Sequence, residues 1–268
     1  MPRLAVVGHV EWVDFIPVER MPMQGEVVHA QGAFARAAGG GGVVAVVLAE
    51  LGAEVDFFTA LGDDAHGHAA ADQLRERGVD VQVAWRPDRA TRRALTLLEG
   101  DGERTIVTVG DRLEPLGSDE LEWERLREAA GVYFTAGDPG ALERAREAGV
   151  LVASPRGRAA LETLHTQAID ALVFSRRDAD EREWTRRLER RARLMVETRG
   201  AEGGAWWGRS EGTWKPAPLE GAPRDAYGCG DSFAAGFTFG LASGGSVAEA
   251  AAQGARCGAR CLTRAGAP

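Results

Sequence analysis

The chain has few cysteines, a single lysine and no long apolar run. Its cysteines are Cys229, Cys257 and Cys261, and none of them forms a C-x-x-C pair. This spacing predicts neither a disulfide framework nor a zinc site, and it favours a reducing, cytoplasmic setting. No apolar run approaches the roughly 18 residues that a membrane span needs, and no charged segment with a long apolar core opens the chain. We therefore expect neither a transmembrane helix nor a signal peptide.

The chain also has fewer basic than acidic residues. The 40 acidic residues outnumber the 32 basic ones, the formal net charge is −8, and no long basic block occurs. A nucleic-acid surface is therefore not expected, although an acidic protein can still bind phosphate locally. Hydrophobic residues make up 44% of the 268 positions, which is enough for a sizeable core. We expect one large α/β domain with a small appendage.

The most informative stretch is residues 224–244, RDAYGCGDSFAAGFTFGLASG. Gly228 and Gly230 flank Cys229, so the backbone can bend there and bring its N–H groups close to an anion. Apolar residues spaced four apart predict a helix over 232–241, with Asp231 at its N-terminus. A helix N-terminus favours phosphate, and a carboxylate beside it can accept the proton of an attacking hydroxyl. The alternative is purely structural: Asp231 is then an N-cap and the glycines serve only the turn.

Residues 225–231, D-A-Y-G-C-G-D, resemble the D-T-x-G-A-G-D signature of the ribokinase-like (PfkB-type) sugar and nucleoside kinases, and residues 39–67 resemble the other signature of that family. The resemblance implies a ribokinase-like three-layer α/β/α sandwich with a mostly parallel central sheet and a small β-sheet lid, as one domain over 1–268. It also implies an ATP-dependent enzyme that moves the γ-phosphate to a hydroxyl of a small sugar or nucleoside-like substrate. Asp231 would be the general base, and the backbone of Gly228, Cys229 and Gly230 would form the anion hole with it.

The substrate end is expected after the first strand, which the apolar run at 4–7 predicts. Glu11 and Asp14 follow this strand, and either carboxylate can accept hydrogen bonds from a diol; each is otherwise a solvated loop residue. The glycine run at 39–42 opens a helix that stops at Gly52. The resemblance implies substrate contacts from Gly39, Gly40 and Gly41, and from Val43, where the family carries Asn.

Two segments, at about 11–35 and 86–110, resemble the lid of the family. A strand is expected over 26–34, and the alternation at 94–98 and 105–109 predicts a hairpin that turns at 100–102. So few strands do not form a stable sheet alone. We expect them to cover the substrate cleft or to pair with the lid of a second subunit in a homodimer.

Strand and helix patterns alternate from residue 121 onward, which predicts parallel strands with crossover helices. The family places N-x-x-E after one of these strands to organise Mg²⁺ and phosphates, and this chain has S-R-R-D at 175–178. Residues 198–203 look like its T-x-G-x-x-G nucleotide loop. The resemblance therefore assigns nucleotide contacts to Ser175, Thr198, Gly200 and Gly203, a water-mediated Mg²⁺ contact to Asp178, and an optional monovalent cation, K⁺, to Asp225.

Two rival functions remain open. A small-molecule binding protein that kept the fold and lost turnover is suggested by Val43, Ser175 and Asp178, which all depart from the family pattern. A dinucleotide oxidoreductase is the weaker rival, because no G-x-G-x-x-G follows the first strand.

Overall fold

Strands and helices alternate along most of the chain in the computed structural model, which describes residues 1–30, 32–99, 104–266 and 268. The strands are β1 (Arg3–Val7), β2 (Glu11–Pro17), β3 (Phe34–Ala38), β4 (Glu54–Gly62), β5 (Val79–Arg86), β6 (Arg93–Leu98), β7 (Arg104–Val109), β8 (Gly131–Phe134), β9 (Leu151–Ala153), β10 (Ala171–Ser175), β11 (Leu194–Thr198), β12 (Gly204–Gly208) and β13 (Gly212–Trp214). The helices are α1 (Gly39–Glu50), α2 (Ala65–Glu76), α3 (Pro139–Ala145), α4 (Arg158–Leu161), α5 (Ala179–Leu188), α6 (Cys229–Ala242) and α7 (Val247–Leu262). None of the helices in these ranges has the length and apolar character that crossing a membrane requires.

The larger sheet brings the carboxyl ends of several strands to one edge. Its order is β13-β12-β11-β10-β9-β8-β1-β4-β5, and the strands from β11 to β5 are parallel. The strands β12 and β13 add antiparallel pairs at the far edge. In open α/β sheets, ligands bind outside the carboxyl ends of such strands. The residues that follow β1, β8, β9, β10 and β11 are therefore the ones expected to line a ligand site.

Helices cover both faces of this sheet, as the alternation in β1 shows. Leu4 and Val6 belong to the core formed with α1, α2, α6 and α7, whereas Ala5 and Val7 belong to the core formed with α3, α4 and α5. Because successive side chains of a strand point to opposite faces, one buried run serves both layers. The three-layer α/β/α arrangement expected from the sequence is confirmed.

A smaller, separate sheet in the order β3-β2-β6-β7 contains strands from both segments expected to form the lid. In β2 the alternate residues Val13 and Phe15 are fully buried, so this strand packs against the main core. The strand expected over 26–34 was wrong for the described residues before Phe34: residues 26–30, 32 and 33 form no strand, β3 begins only at Phe34, and Val27 is 82% exposed. The side chain of Val27 is exposed, whereas alternate side chains of β2 pack against the core. The hairpin of β6 and β7 agrees with the pattern at 94–98 and 105–109, and its expected turn at 100–102 lies outside the described residues.

Candidate active site

Helix α6 begins three residues earlier than its apolar spacing predicted. Gly228 occupies the N-cap in a left-handed conformation, with φ of 72°, and the helix continues to Ala242. Asp231 therefore lies in the first turn, and the alternative reading of Asp231 as the N-cap was wrong. The conformational requirement for glycine also falls on Gly228 alone, because Gly230 has an ordinary φ and a Cβ atom there would meet nothing within 4 Å. A Cβ atom on Gly228 would lie 3.2 Å from Cγ1 of Val43.

The first turn of α6 offers backbone donors to a ligand. The amides of Gly230 and Asp231 have no hydrogen-bond acceptor among the described residues, and the first helical bond is the one from Ser232 N–H to the Gly228 carbonyl at 2.7 Å. The amide of Cys229 lies 3.4 Å from the carbonyl oxygen of Ala226. Free N–H groups at a helix N-terminus attract anions. Of the predicted anion hole, Gly230 and Asp231 thus contribute the unengaged donors.

The N-terminus of α1 faces the same point. A Cβ atom on Gly40 would lie 3.3 Å from Oδ1 of Asp231, so the Asp231 carboxylate lies directly against the start of α1. The Gly39 amide donates to the hydroxyl of Tyr227 at 3.3 Å, and the Gly41 amide donates to the carbonyl of His9 at 3.1 Å. Val43, one turn further along, is 1% exposed and packs under the Gly228 turn. The cleft wall here is backbone rather than side chain.

Arg156 is a site residue that the sequence analysis missed. It lies in a 3₁₀ turn, Pro155–Gly157, directly after β9, and its Nη1 is 3.6 Å from Oδ1 of Asp231. Its Nε donates to Oε1 of Glu181 at 2.9 Å. The charge of Asp231, followed by that of Glu181, raises the pKa of Arg156 despite its burial. The available signal was its position at the carboxyl end of a parallel strand, where ligands bind.

Glu181 was missed as well, although it is one of the few buried carboxylates. Its second oxygen, Oε2, accepts the amide of Ser175 at 2.9 Å, so both carboxylate oxygens are engaged. Burial raises the pKa of Glu181, and the neighbouring Arg156 opposes this shift. Asp178 caps α5 by accepting the amide of Glu181 at 3.0 Å. The D-x-x-E spacing is typical of an exposed helix start, and only the position of α5 against Arg156 makes Glu181 part of the site.

The two candidate substrate carboxylates lie on opposite faces of β2. Glu11 is buried beside His9 and Arg92, with its Oε1 3.7 Å from His9 Nε2 and 3.2 Å from Arg92 Nε. Burial raises the pKa of Glu11, and Arg92 partly offsets this. Asp14 is half-buried on the other face and pairs with Arg93 at 2.8 Å. The structure therefore brings Glu11, and not Asp14, together with Gly39, where a Cβ atom would lie 3.3 Å from Cγ of Glu11.

The predicted nucleotide residues meet at the carboxyl ends of β10 and β11. Ser175 pairs with Thr198 in the register of the two strands, and the Thr198 hydroxyl donates to the carbonyl of Phe174 at 3.2 Å. Gly200 and Gly203 follow with φ of 62° and 80°, in a turn where a Cβ atom on Gly203 would lie 2.1 Å from the Trp214 carbonyl oxygen. This turn therefore needs glycine at both positions.

Arg177 lies over this glycine turn. A Cβ atom on Gly200 would be 3.0 Å from the guanidinium carbon of Arg177. A planar cation beside a glycine turn is a suitable neighbour for a phosphate chain.

The buried side chain of Asp225 holds backbone amides in this conformation. Its side chain is 1% exposed and accepts two backbone amides, from Tyr227 at 2.8 Å and from Gly266 at 2.9 Å. These bonds fasten the signature loop to the segment after α7. Its contact with a monovalent cation stays a prediction.

The carboxylate oxygen available near the end of β10 suits a water-mediated contact with Mg²⁺. Among the described residues, no group of three or more His, Cys, Asp or Glu side chains is placed to hold a metal directly. Oδ1 of Asp178 caps α5, and its other oxygen has no hydrogen-bond partner within the described part of the chain. Mg²⁺ usually keeps several waters and takes one or two carboxylates besides substrate phosphates. A single free carboxylate oxygen beside the predicted phosphate site fits that pattern.

The chain is similar to known carbohydrate kinases over its whole length. A family model described as pfkB family carbohydrate kinase matches residues 1–268. The chain is 30% identical to an ATP-dependent ribose-1-phosphate kinase of Halopiger xanaduensis, over all of this chain and 94% of the relative. Among solved structures, Arabidopsis thaliana ribokinase complexed with ribose and ATP has 22% identity and a TM-score of 0.78, covering 99% of this chain and 94% of that one. A microbiome-derived acarbose kinase has 23% identity and a TM-score of 0.82, with 99% and 94% coverage.

Proposed function

This chain belongs to the pfkB family of carbohydrate kinases, and from that premise we propose that Asp231 activates a hydroxyl of a small sugar or nucleoside-like acceptor for attack on the γ-phosphate of ATP. The observation that carries the proposal is the position of Asp231. Its carboxylate lies in the first turn of α6, beside the start of α1 and 3.6 Å from the guanidinium of Arg156. A base, free N–H donors and a fixed positive charge meet at one point.

The chemical step follows from these groups. Asp231 accepts the proton of the acceptor hydroxyl as its oxygen bonds to the phosphorus, and the bond from phosphorus to the leaving oxygen of ADP breaks. The amides of Gly230 and Asp231, which have no acceptor among the described residues, would donate to the oxygens of the transferred group, where charge develops. Arg156 supplies positive charge at the same place without giving up a proton, since a guanidinium stays charged at any working pH.

The nucleotide would bind at the other end of the cleft. Ser175, Thr198, Gly200 and Gly203 would hold it through the turn after β11, and Arg177 would face its phosphates. Asp178 would hold Mg²⁺ through a water molecule. Bound there, Mg²⁺ neutralises charge on the phosphate oxygens.

The acceptor would bind at the end of the cleft formed by β1, α1 and the lid. Glu11 would accept hydrogen bonds from its hydroxyl groups, and the backbone of Gly39, Gly40 and Gly41 would form the wall beneath it. The name of the Halopiger xanaduensis relative adds a phosphorylated pentose to the acceptors worth testing.

The test is acceptor-dependent formation of ADP, followed in a coupled assay with ATP and a panel of sugars, nucleosides and sugar phosphates. Turnover of at least one acceptor that Asp231→Asn abolishes would support the proposal. ADP formation at the same rate with and without every acceptor would contradict it. Saturable acceptor binding without turnover would favour the rival, a binding protein with the same fold, which the departures at Val43, Ser175 and Asp178 already suggest.

A further inference from the structure

Three arginines surround the acceptor end of the cleft, and the chemical step uses only one of them. Arg92 precedes lid strand β6, and Arg112 follows its partner β7; because these strands are antiparallel neighbours, both residues lie at the base of the lid. Arg156 reaches the same region from β9. All three lower the pKa of the buried His9. Nε of Arg92 lies 3.2 Å from Oε1 of Glu11, and Nη2 of Arg112 lies 3.2 Å from the carbonyl oxygen of Arg156, so three permanent positive charges lie in the region between Glu11 and Asp231.

Neighbouring groups engage part of each guanidinium and leave other N–H groups without acceptors in the described part of the chain. Nε of Arg92 forms an ion pair with Oε1 of Glu11 at 3.2 Å but no hydrogen bond, and its Nη atoms have no hydrogen-bond partner among the described residues. Nε of Arg112 donates to Glu114 at 2.7 Å and its Nη2 donates to the Arg156 carbonyl at 3.2 Å, which leaves Nη1. Arg156 likewise has Nη2 left over in the described structure. Preoriented forks of this kind match the geometry of a phosphate.

His9 adds a second, independent observation. Its ring is 5% exposed, and Nδ1 is buried with no hydrogen-bond partner within the described ranges. Burial, followed by Arg112, Arg156 and Arg92, holds the pKa of His9 well below its usual value, so the ring adds no charge of its own. A buried polar atom normally has a partner, and its absence here points to a group that a ligand supplies.

The position of the cluster separates it from the nucleotide. The predicted nucleotide turn follows β10 and β11, whereas Glu11 and His9 follow β1, and β9 and β8 lie between. Three strand spacings of roughly 4.8 Å put β1 about 14 Å from β10. Arg156 stands between the two ends, 3.6 Å from Asp231. The lid-base arginines Arg92 and Arg112 are therefore on the acceptor side of the catalytic carboxylate.

We propose that Arg92 and Arg112, with Arg156, bind a phosphate group that the acceptor already carries, so that the preferred acceptor is a sugar phosphate rather than a free sugar. This inference rests on the proposed kinase function and names its substrate class. Arg92 and Arg112 determine specificity by binding that phosphate, while Asp231 receives the proton of a hydroxyl elsewhere on the same sugar. The product then carries two phosphate groups.

The test compares kcat/KM for matched pairs: ribose with ribose 1-phosphate and ribose 5-phosphate, and fructose with fructose 1-phosphate and fructose 6-phosphate. At least one phosphorylated member should exceed its free sugar by about 100-fold. Arg92→Gln and Arg112→Gln should each lower kcat/KM for that acceptor by roughly 10- to 100-fold, the loss expected when a charge-assisted hydrogen bond is removed, and leave KM for ATP unchanged. Arg92→Lys should recover little, because a point charge does not replace the fork.

Arg93→Gln is the matched control. Arg93 is the next residue, undergoes the same chemical change, and pairs with Asp14 on the opposite face of the lid. It should retain wild-type kinetics, and thermal melts of all four variants would exclude misfolding as the cause of any loss. Equal or better turnover of the free sugars, or a rise in KM for ATP alone in Arg92→Gln, would overturn the inference.

A failure of the proposed function can be told apart from a failure of this inference. If the wild-type protein turns over no acceptor, calorimetric titration with ribose 1-phosphate, ribose 5-phosphate and inorganic phosphate in the absence of ATP still tests the arginines. Binding that Arg92→Gln and Arg112→Gln abolish and Arg93→Gln retains would support a phosphate site in a protein without kinase turnover. No binding to the wild-type protein would refute the site itself.

Discussion

The substitution Asp231→Asn tests the proposed mechanism most directly. Asparagine keeps the size of the side chain and cannot take a proton from a hydroxyl. Loss of a positioned general base lowers kcat by roughly 10²–10⁴-fold, which is about 3–5 kcal/mol of barrier. No hydrogen bond or ion pair joins the Asp231 side chain to the proposed nucleotide residues Ser175, Thr198, Gly200 and Gly203 in the described part of the chain, so KM for ATP should change little.

The structure also limits the effect on stability. A negative charge in the first turn of α6 interacts favourably with the helix dipole by about 0.3–1 kcal/mol. The ion pair with Arg156 joins atoms 3.6 Å apart on side chains that are 18% and 36% exposed, so solvent screening keeps its contribution to about 1 kcal/mol or less. The free energy of unfolding should therefore fall by about 1–2 kcal/mol, much less than the catalytic barrier rises. Thermal unfolding should shift by only a few degrees.

Asp225→Asn is the matched control in the same signature. Asp225 accepts the amides of Tyr227 and Gly266 through its two oxygens, and asparagine has only one oxygen to offer. A buried donor left without an acceptor costs about 1–3 kcal/mol, so this variant should lose stability more clearly than catalytic competence at low temperature. Coupled ADP assays and calorimetric melts on both variants measure the two effects. If Asp231→Asn turned over acceptor at the wild-type rate, the reasoning on Asp231 would be refuted.

Four further outcomes are expected. Gly228→Ala should cost about 1–2 kcal/mol in thermal unfolding because of its left-handed φ and its contact with Val43, while Gly230→Ala should cost far less; equal losses would contradict the assignment of the turn. Free ribose and fructose should be poor acceptors, because Val43 cannot form the hydrogen bonds of an asparagine; a kcat/KM of about 10⁴ M⁻¹s⁻¹ for either would count against this. Since burial raises the pKa of Glu181, its contribution to stability is complete below the pKa of the unfolded chain and decreases as pH rises through the folded pKa. The stability of wild type relative to Glu181→Gln should therefore be greater at pH 4.5 than at pH 7 in urea titrations. The exposed apolar side chains of β7 favour a homodimer through the lid, which light scattering at high concentration tests; a monomer there would contradict it.

Local sequence signals predicted the elements whose causes are local. The apolar run at 4–7 gave a strand buried on both faces, and the glycine run at 39–42 opened α1 as expected. The strand expected over 26–34 and the start of α6 at residue 232 were wrong for the same reason. In both cases the secondary structure was predicted from local residue preferences alone, without knowledge of which side chains pack against the rest of the protein. Val27 is 82% exposed, and Gly228 caps α6 in a left-handed conformation next to the buried Val43.

The sequence by itself determined the parallel α/β order, the position of Asp231 at the start of an apolar helix, and the glycine turn beside it. These features depend on residues within a few positions of one another, so periodicity and backbone conformation reveal them. Only the tertiary structure decided that Arg92, Arg112, Arg156 and Glu181 lie near Glu11 and Asp231 and that Asp14 lies on the opposite face of β2. In the sequence each of those arginines is one among 32 basic residues, with nothing local to distinguish it. Which charges meet is fixed by the order of strands in the sheet and by the face of β2 that packs inward, because long-range packing, and not local propensity, brings the ends of distant strands together.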